Sequence, residues 1–304
     1  MADEYLRSYG DTNIVQDISK LIEILTATEV WFMNNLGKTT AVATTHVSQD
    51  DVLDAVASLA VEEGTDSTLK ALVTPISRSN IVEHVAYPFA VSDVQRAVNH
   101  YSGSDELTRQ TEKAVRNLAN GFEFDLLRST LVSGVSGSTP KMKGVLQAIS
   151  LAKNTTAHNS GTVFSASVLN GLMRQSYTQS NGEVPTDLFL GPWLRFKMDE
   201  FTTKTNVLVQ SPQNTIDQMV DVYKTSFANL FVHNHRYLTI SGTDATARLL
   251  AVRPEKLKIA YLQAPRIVPL SRTGLSEKRV ATLDGTLEVR NQESHFWSSG
   301  FDLD

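Results

Sequence analysis

The chain of 304 residues contains no cysteine, which excludes disulfides, zinc–thiolate centres and thiol nucleophiles together. Folding without covalent staples suits a reducing cytoplasm. Positive charge is not in excess either: 28 Lys and Arg stand against 33 Asp and Glu, a net charge of −5. That balance argues against a dedicated DNA-binding protein but allows one that coexists with DNA. No run approaches the ~18 apolar residues of a membrane span, and the opening "MADEYLRSYGDTNIV" has no signal-peptide core. These absences predict a soluble chain made in the cytoplasm and no membrane partner. What is present is enough to bury a real core, with 41% hydrophobic and 20% charged residues.

Motifs that carry chemistry are equally scarce. Gly37-Lys38-Thr39 matches the end of a phosphate-binding loop. Such a loop needs a glycine five residues earlier, and Phe32 stands there beside Trp31. The "TTAVATTHV" that follows has the β-branched composition of a strand where that motif requires a helix. A nucleotide-binding enzyme using Gly37-Lys38-Thr39 is therefore a poor alternative, and Lys38 reads as a solvated turn residue. No G-x-S-x-G elbow, H-E-x-x-H pair or dinucleotide glycine fingerprint occurs, so no catalytic or cofactor residue is assigned. His233 and His235 would share one face of a strand, yet no third ligand stands in suitable spacing, so no metal residue is assigned. Asp50, Asp51 and Asp54, with Glu62 and Glu63, lack the calcium-loop pattern and read as an acidic segment that meets a neighbour's Arg or Lys.

Periodicity organises the rest. Val15, Ile18, Leu21, Ile22 and Leu25 recur at helical spacing after a polar start. "NIVEHVAYPFAVS" alternates as a strand, and Pro88, which cannot donate to a ladder, confines it to an edge or ribbon. The strongest helix starts at a Ser104 cap and carries Leu107, Ala114, Val115, Leu118, Phe122 and Leu126 on one stripe towards about Val132. A second helix is expected over about 165–179 with Ser165 as its cap. Leu188-Phe189-Leu190 reads as a buried strand feeding a helix that begins at Pro192. "VYKTSFANLFVHNHRYL" and "ARLLAVR" are further strand candidates, with "TISGTDAT" as the turn between them. Asp284-Gly285 between alternating runs is a hairpin signal.

The order of these pieces resembles the tailed-phage major capsid proteins. "TATEVWFMNNLGKTTAVATTHVSQDDVLDAVASLAVEEG" is similar to that family's entry into its extended loop, and "RSNIVEHVAYPFAVSDVQRAV" to the returning limb. "SDELTRQTEKAVRNLANGFEFDLL" resembles its long spine helix, "STPKMKGVLQAI" the loop after it, and "LFLGPWLRFKMDEF" the strand and helix of its axial domain. One departure is His46-Val47-Ser48, where the family often has an aromatic after the histidine.

The resemblance implies an α+β chain with the Hong Kong ninety-seven-like capsid fold. It implies an N-terminal arm over 1–36, an extended loop over 37–95, a peripheral domain with the spine helix over 96–150, an axial domain over 151–250, and a return to the peripheral and axial sheets over 251–304. Gly37-Lys38-Thr39 becomes the hinge into the loop, and 277–291 becomes one long or bulged strand in place of the hairpin. The implied function is a major head protein forming hexamers and pentamers of an icosahedral or prolate shell around double-stranded DNA, without specific readout and without a cofactor. The implied partners are other copies of the chain, with scaffolding, portal and decoration proteins as further ones, and the implied location is the virion after assembly in the host cytoplasm. An encapsulin-like bacterial nanocompartment is the alternative on the same fold. Trp31, Phe32, Lys38, Asp50, Asp51, Glu62, Glu63, Arg78, Glu83 and Tyr87 are the expected contacts between subunits.

Overall fold

A computed structural model of the protein describes residues 30–53, 74–98, 105–134, 137–150, 155–157, 162–180, 182–203, 222–239 and 248–301, with positions 58, 60–64, 66 and 72. The helix expected around Val15 to Leu25, the Ser104 cap and most of the "TISGTDAT" turn lie outside the described residues.

The chain enters through a short helix, α1 (Trp31–Asn35), and passes directly into strand β1 (Gly37–Thr40). Strands β2 (Thr45–Asp50) and β3 (Ile76–Ile81) pair antiparallel as a separate two-stranded hairpin. After Val82 comes β4 (Glu83–Ser92), then α2 (Asp93–Ala97), whose Ser92 cap accepts from the Gln95 N–H. The long helix α3 (Glu106–Arg128) has 23 residues, about 35 Å at 1.5 Å per residue. Asp105 caps it through a bond to the Leu107 N–H, and Ser129 ends it. The helix therefore stops short of Val132. Its apolar stripe buries Leu107, Ala114, Leu118, Phe122 and Leu126 as expected, but Val115 is 46% exposed because the stripe turns away from it.

Next are α4 (Val145–Ser150), β5 (Thr155–Ala157) and α5 (Ala166–Gln179), the last starting after Ser165. Strand β6 (Asp187–Leu190) is buried throughout and feeds α6 (Pro192–Thr203) as read from Pro192. Strands β7 (Val222–Lys224), β8 (Asn229–Asn234) and β9 (Arg248–Val252) follow. The chain closes with β10 (Leu257–Leu270), β11 (Ser276–Val289) and β12 (Phe296–Ser299).

Two sheets carry the body. One has the order β1-β10-β11-β4, with β1 parallel to β10 and the other pairs antiparallel. The other has the order β5-β12-β9-β6-β8-β7. Helix α3 lies on the first sheet, with Phe122, Leu126 and Leu127 in one core with Ala281, Leu283 and Leu287. That core continues beneath the second sheet through Phe189, Leu250 and Val252. The alternate residues Leu188, Leu190, Leu249 and Ala251 point the other way, into a second core with Leu169, Met173, Leu194 and Met198 of α5 and α6. A strand covered on both faces must be apolar, as Leu188, Phe189 and Leu190 of β6 are.

The hairpin reading of Asp284-Gly285 is corrected: both residues sit inside β11, opposite His84 and Glu83. Gly285 is there for space. A Cβ at this position would lie 2.8 Å from the Phe122 ring, so the glycine lets α3 rest on the strand. The irregularity of the ladder falls on β10, with register shifts between Tyr261 and Gln263 and between Gln263 and Arg266. The true turn lies at 271–275, where Gly274 has φ +94. Strand β10 went unread in the sequence because Pro265 and Pro269 interrupt it. Beyond Tyr261 it pairs with β11 alone, and the prolines fall in this one-sided stretch. Pro88 likewise sits in β4, the edge strand of its sheet, as expected.

Candidate functional site

Gly37-Lys38-Thr39 forms no phosphate cradle and no hinge. These residues lie extended in β1, hydrogen-bonded parallel to Lys258, Ile259 and Ala260, with Lys38 exposed. The ladder continues to the Ala41 N–H, which donates to the Tyr261 carbonyl at 2.9 Å, and the chain leaves the sheet only after that. The element that follows is strand β2, whereas a P-loop lysine would open a helix.

The hairpin of β2 and β3 is tied to the body by a cluster of polar side chains. His46 Nε2 donates to Glu288 Oε2 at 2.8 Å, across 242 residues of sequence. Burial alone would raise the Glu288 carboxyl, but its hydrogen bonds from His46 and Arg290 hold it below the usual range. Arg78 donates to Asp50 at 2.6 Å and also to Gln292. Asp50 in turn accepts from the Asn291 N–H at 3.2 Å. Asn80 is buried and satisfied on both ends: its amide donates to the Lys143 and Leu287 carbonyls, and its oxygen accepts from the Lys143 N–H at 2.7 Å. These groups close around a cavity of about 20 Å³, room for a water and little more.

Two buried carboxylates sit behind this cluster. Glu83, at the start of β4, is 5% exposed and accepts from the Met142 N–H at 3.1 Å. Burial, reinforced by the neighbouring charge of Asp125, pushes its pKa up to about 7. Glu123 of α3 is completely buried and accepts from the Phe32 N–H at 2.7 Å, the Met33 N–H at 3.0 Å and His235 Nε2 at 3.3 Å. It therefore anchors the first turn of α1 and the end of β8 to the long helix at one point.

The structure separates the residues expected at subunit contacts into two groups. Phe32 and Glu83 are buried within this subunit, and Trp31 is half-buried with its ring edge on Phe189 at 4.6 Å. Asp50 and Arg78 pair with each other at the hairpin base. Lys38, Asp51, Glu62, Glu63 and Tyr87 are exposed. Exposed apolar groups accompany them: Val42, Leu53 and Leu72 on the segment that carries the hairpin are each more than 90% accessible. Leu262, Ile267, Leu270 and Leu275 lie bare at the far end of the first sheet.

His233 and His235 do not converge. The first donates to Asp187 at 2.9 Å and the second to Glu123, and no metal-capable cluster of three such residues occurs among the described residues. Sequence reasoning missed Glu123, Asn80 and Glu288. The partners that tie them to other elements are 63 to 242 residues away, so no local spacing marks them. The one available signal was an acid at position 123 beside Phe122, on the core side of a helix.

A family model described as SU10 major capsid protein matches residues 6–302. No curated protein matches the chain in sequence. Among solved structures, the fold is similar to the capsid of a native GTA particle at TM-score 0.69 and 12% identity, with 97% of each chain covered. It is also similar to the capsid of the cyanophage P-SCSP1u, at TM-score 0.66 and 11% identity over 99% of this chain and 100% of that one. The SrpI encapsulin of Synechococcus elongatus PCC 7942 follows the same fold at TM-score 0.67 and 10% identity over 98% and 97%.

Proposed function

Because the chain belongs to the SU10 major capsid protein family and is thus a structural component of a phage virion, we propose that it tiles into hexamers and pentamers of a closed shell around double-stranded DNA. One observation carries this reading: the apolar residues bared on the hairpin segment and at the far end of the first sheet have no covering element among the described residues. A single copy in water gains nothing from them. Copies that lay the hairpin over a neighbour's sheet bury both at once.

In this reading the first sheet with α3 is the peripheral domain, the second sheet with α5 and α6 is the axial domain, and β2–β3 is the extended loop. Lys38, Asp51, Glu62, Glu63 and Tyr87 are the contacts made between subunits. Asp50, Arg78 and Glu83 act indirectly, by holding the loop at its root. Chemistry on substrates has no place in this account, since the family is structural and the residues that might have held a nucleotide are bonded into a sheet. The wall can be acidic overall because enclosure retains DNA without high affinity. The fold alone does not separate a phage shell from an encapsulin, since both kinds of neighbour fit about equally well. The family match favours the phage shell.

Negative-stain microscopy of the expressed protein tests the proposal. Shells or ring-shaped capsomers are expected. A preparation of compact single copies at high protein concentration would falsify it.

A further inference from the structure

Most arginines of this subunit face a carboxylate. Arg78 meets Asp50, Arg96 meets Glu277, Arg272 meets Asp93 and Arg290 meets Glu288. Among the described residues, Arg128 and Arg248 do not. Arg128 closes α3 and lays its guanidinium over the Phe124 ring at 5.6 Å. Arg248 opens β9 and lies over Trp297 at 5.6 Å. Each is pushed below the usual arginine range by burial, and Arg128 further by the charge of Arg248; no acid enters for either. Arg248 Nε and Trp297 Nε1 are both buried donors without an acceptor among the described residues. Beside them Tyr237 packs edge-on against Phe124 at 5.9 Å, and the exposed Arg236 covers the Tyr237 ring at 5.3 Å.

Holding two partly buried cations together with unused N–H groups raises the energy of the free subunit. The arrangement becomes favourable when a compact anion enters between them. The two free oxygens of a phosphodiester can accept from two planar forks at once, a geometry the guanidinium matches. Each guanidinium carbon lies 5.6 Å from the centroid of an aromatic ring, which supports the cation from one side.

We propose that Arg128 and Arg248 form a phosphate-binding site for the backbone of the enclosed polynucleotide, with Arg236 as an outer cation and Phe124 and Tyr237 as its platform. This rests on the reading of the chain as a DNA-enclosing capsid protein, and it turns this side of the subunit towards the lumen. The contact is to backbone alone and reads no sequence.

The test uses the full chain, purified as shells or capsomers, and a short DNA duplex in a salt-titrated binding assay. Polyglutamate and inorganic phosphate serve as competitors. R128Q/R248Q is expected to weaken duplex binding about tenfold and to lower the salt slope by roughly one to two. R128K/R248K keeps the charge and loses the forks, so it should weaken binding severalfold with little change of slope, and it stands in should the neutral pair fail to fold. Unchanged duplex affinity in both double variants overturns the assignment. So does polyglutamate competing as well as DNA, which would make the occupant a neighbouring copy's acidic segment. Competition by inorganic phosphate from a protein that does not hold the duplex overturns it too. Microscopy of the same samples separates the two ideas. Shells with unaltered DNA affinity sink this site alone, while small particles that lose duplex binding in the double variants sink the capsid reading and leave the site standing.

Discussion

The two halves of β10 and β11 are the same pair of strands in opposite circumstances. At one end Leu257, Ile259, Leu283 and Leu287 are buried under α3, and Ala260 is buried on the opposite face with Ala41 and Val82. At the other, β10 is exposed from Leu262 to Leu270 except at Val268, and β11 is only half-buried from Ser276 to Val280. The inner half has β1 beside β10 and meets β4 only up to Gly285, whereas the outer half has β4 beside β11 and, among the described residues, nothing beside β10. The difference teaches that the ladder is longer than this subunit's own core requires. Its inner half makes the fold, and its outer half is shaped for something outside the subunit.

The largest expected effect comes from emptying the inner half. Phe122 is fully buried, meets Tyr261 at 6.2 Å between ring centroids, and fills the space that Gly285 leaves open. Phe122→Ala is expected to cost about 3–5 kcal/mol of subunit stability, read by denaturant unfolding of unassembled protein. A loss under about 1 kcal/mol would show that α3 is not what secures the inner half. Glu123→Ala comes next. It strands the Phe32 and Met33 N–H groups and His235, at an expected cost of about 1–3 kcal/mol. Limited proteolysis should then cut near α1 before any other described element.

A smaller effect, and one of definite sign, belongs to Glu83 at the inner end of β4. Lys141 and Asp125 are the charges that face it, and Met142 N–H and Ser129 are its hydrogen-bond partners. Its folded pKa is raised to about 7, so the native state keeps a proton that the unfolded chain has already released. Below the ordinary carboxylate range both states are protonated and the residue adds no pH dependence. As pH rises from that range to about 7, it makes the subunit progressively less stable, and above 7 the whole penalty is present. Glu83→Gln keeps an acceptor for Met142 and removes the charge beside Asp125. It should raise the melting temperature at alkaline pH and flatten the decline. An unchanged slope would assign the pH dependence to other groups.

Regular periodicity was legible, and contacts made at a distance were not. The stripe of α3 apart from Val115, the buried Leu188-Phe189-Leu190 and the helix opening at Pro192 all follow from spacing and local chemistry, and appear where expected. Pro88 signalled an edge correctly because missing a donor is a local property. Strand β10 stayed hidden because two prolines contradict a strand unless one already knows that no neighbour pairs on that side. Asp284-Gly285 misled for the opposite reason. Glycine there answers to the Phe122 ring, which lies on another element and leaves no trace in the adjacent residues. The candidate contacts divide along the same line. Exposure of Asp51, Glu62 and Glu63 was readable from composition, while Phe32 and Glu83 are buried against partners far along the chain, Glu123 and Met142.

The sharpest contrast with Phe122→Ala is a pair of changes in the outer half. Ile267 and Leu270 are 40% and 43% exposed, opposite Ala281 and Lys278 of β11. Making both serine removes little that the subunit buries, so its unfolding free energy should move by no more than about 0.5 kcal/mol. If that apolar strip is covered by another copy in the shell, losing it removes burial worth about 25 cal/mol for each Å² at every repeated contact. Light scattering should then show the Ile267→Ser/Leu270→Ser chain folded but slow or unable to form shells. Normal shell formation would mean that the outer half faces solvent in the assembled wall, and that the extra length of the ladder serves some purpose other than tiling.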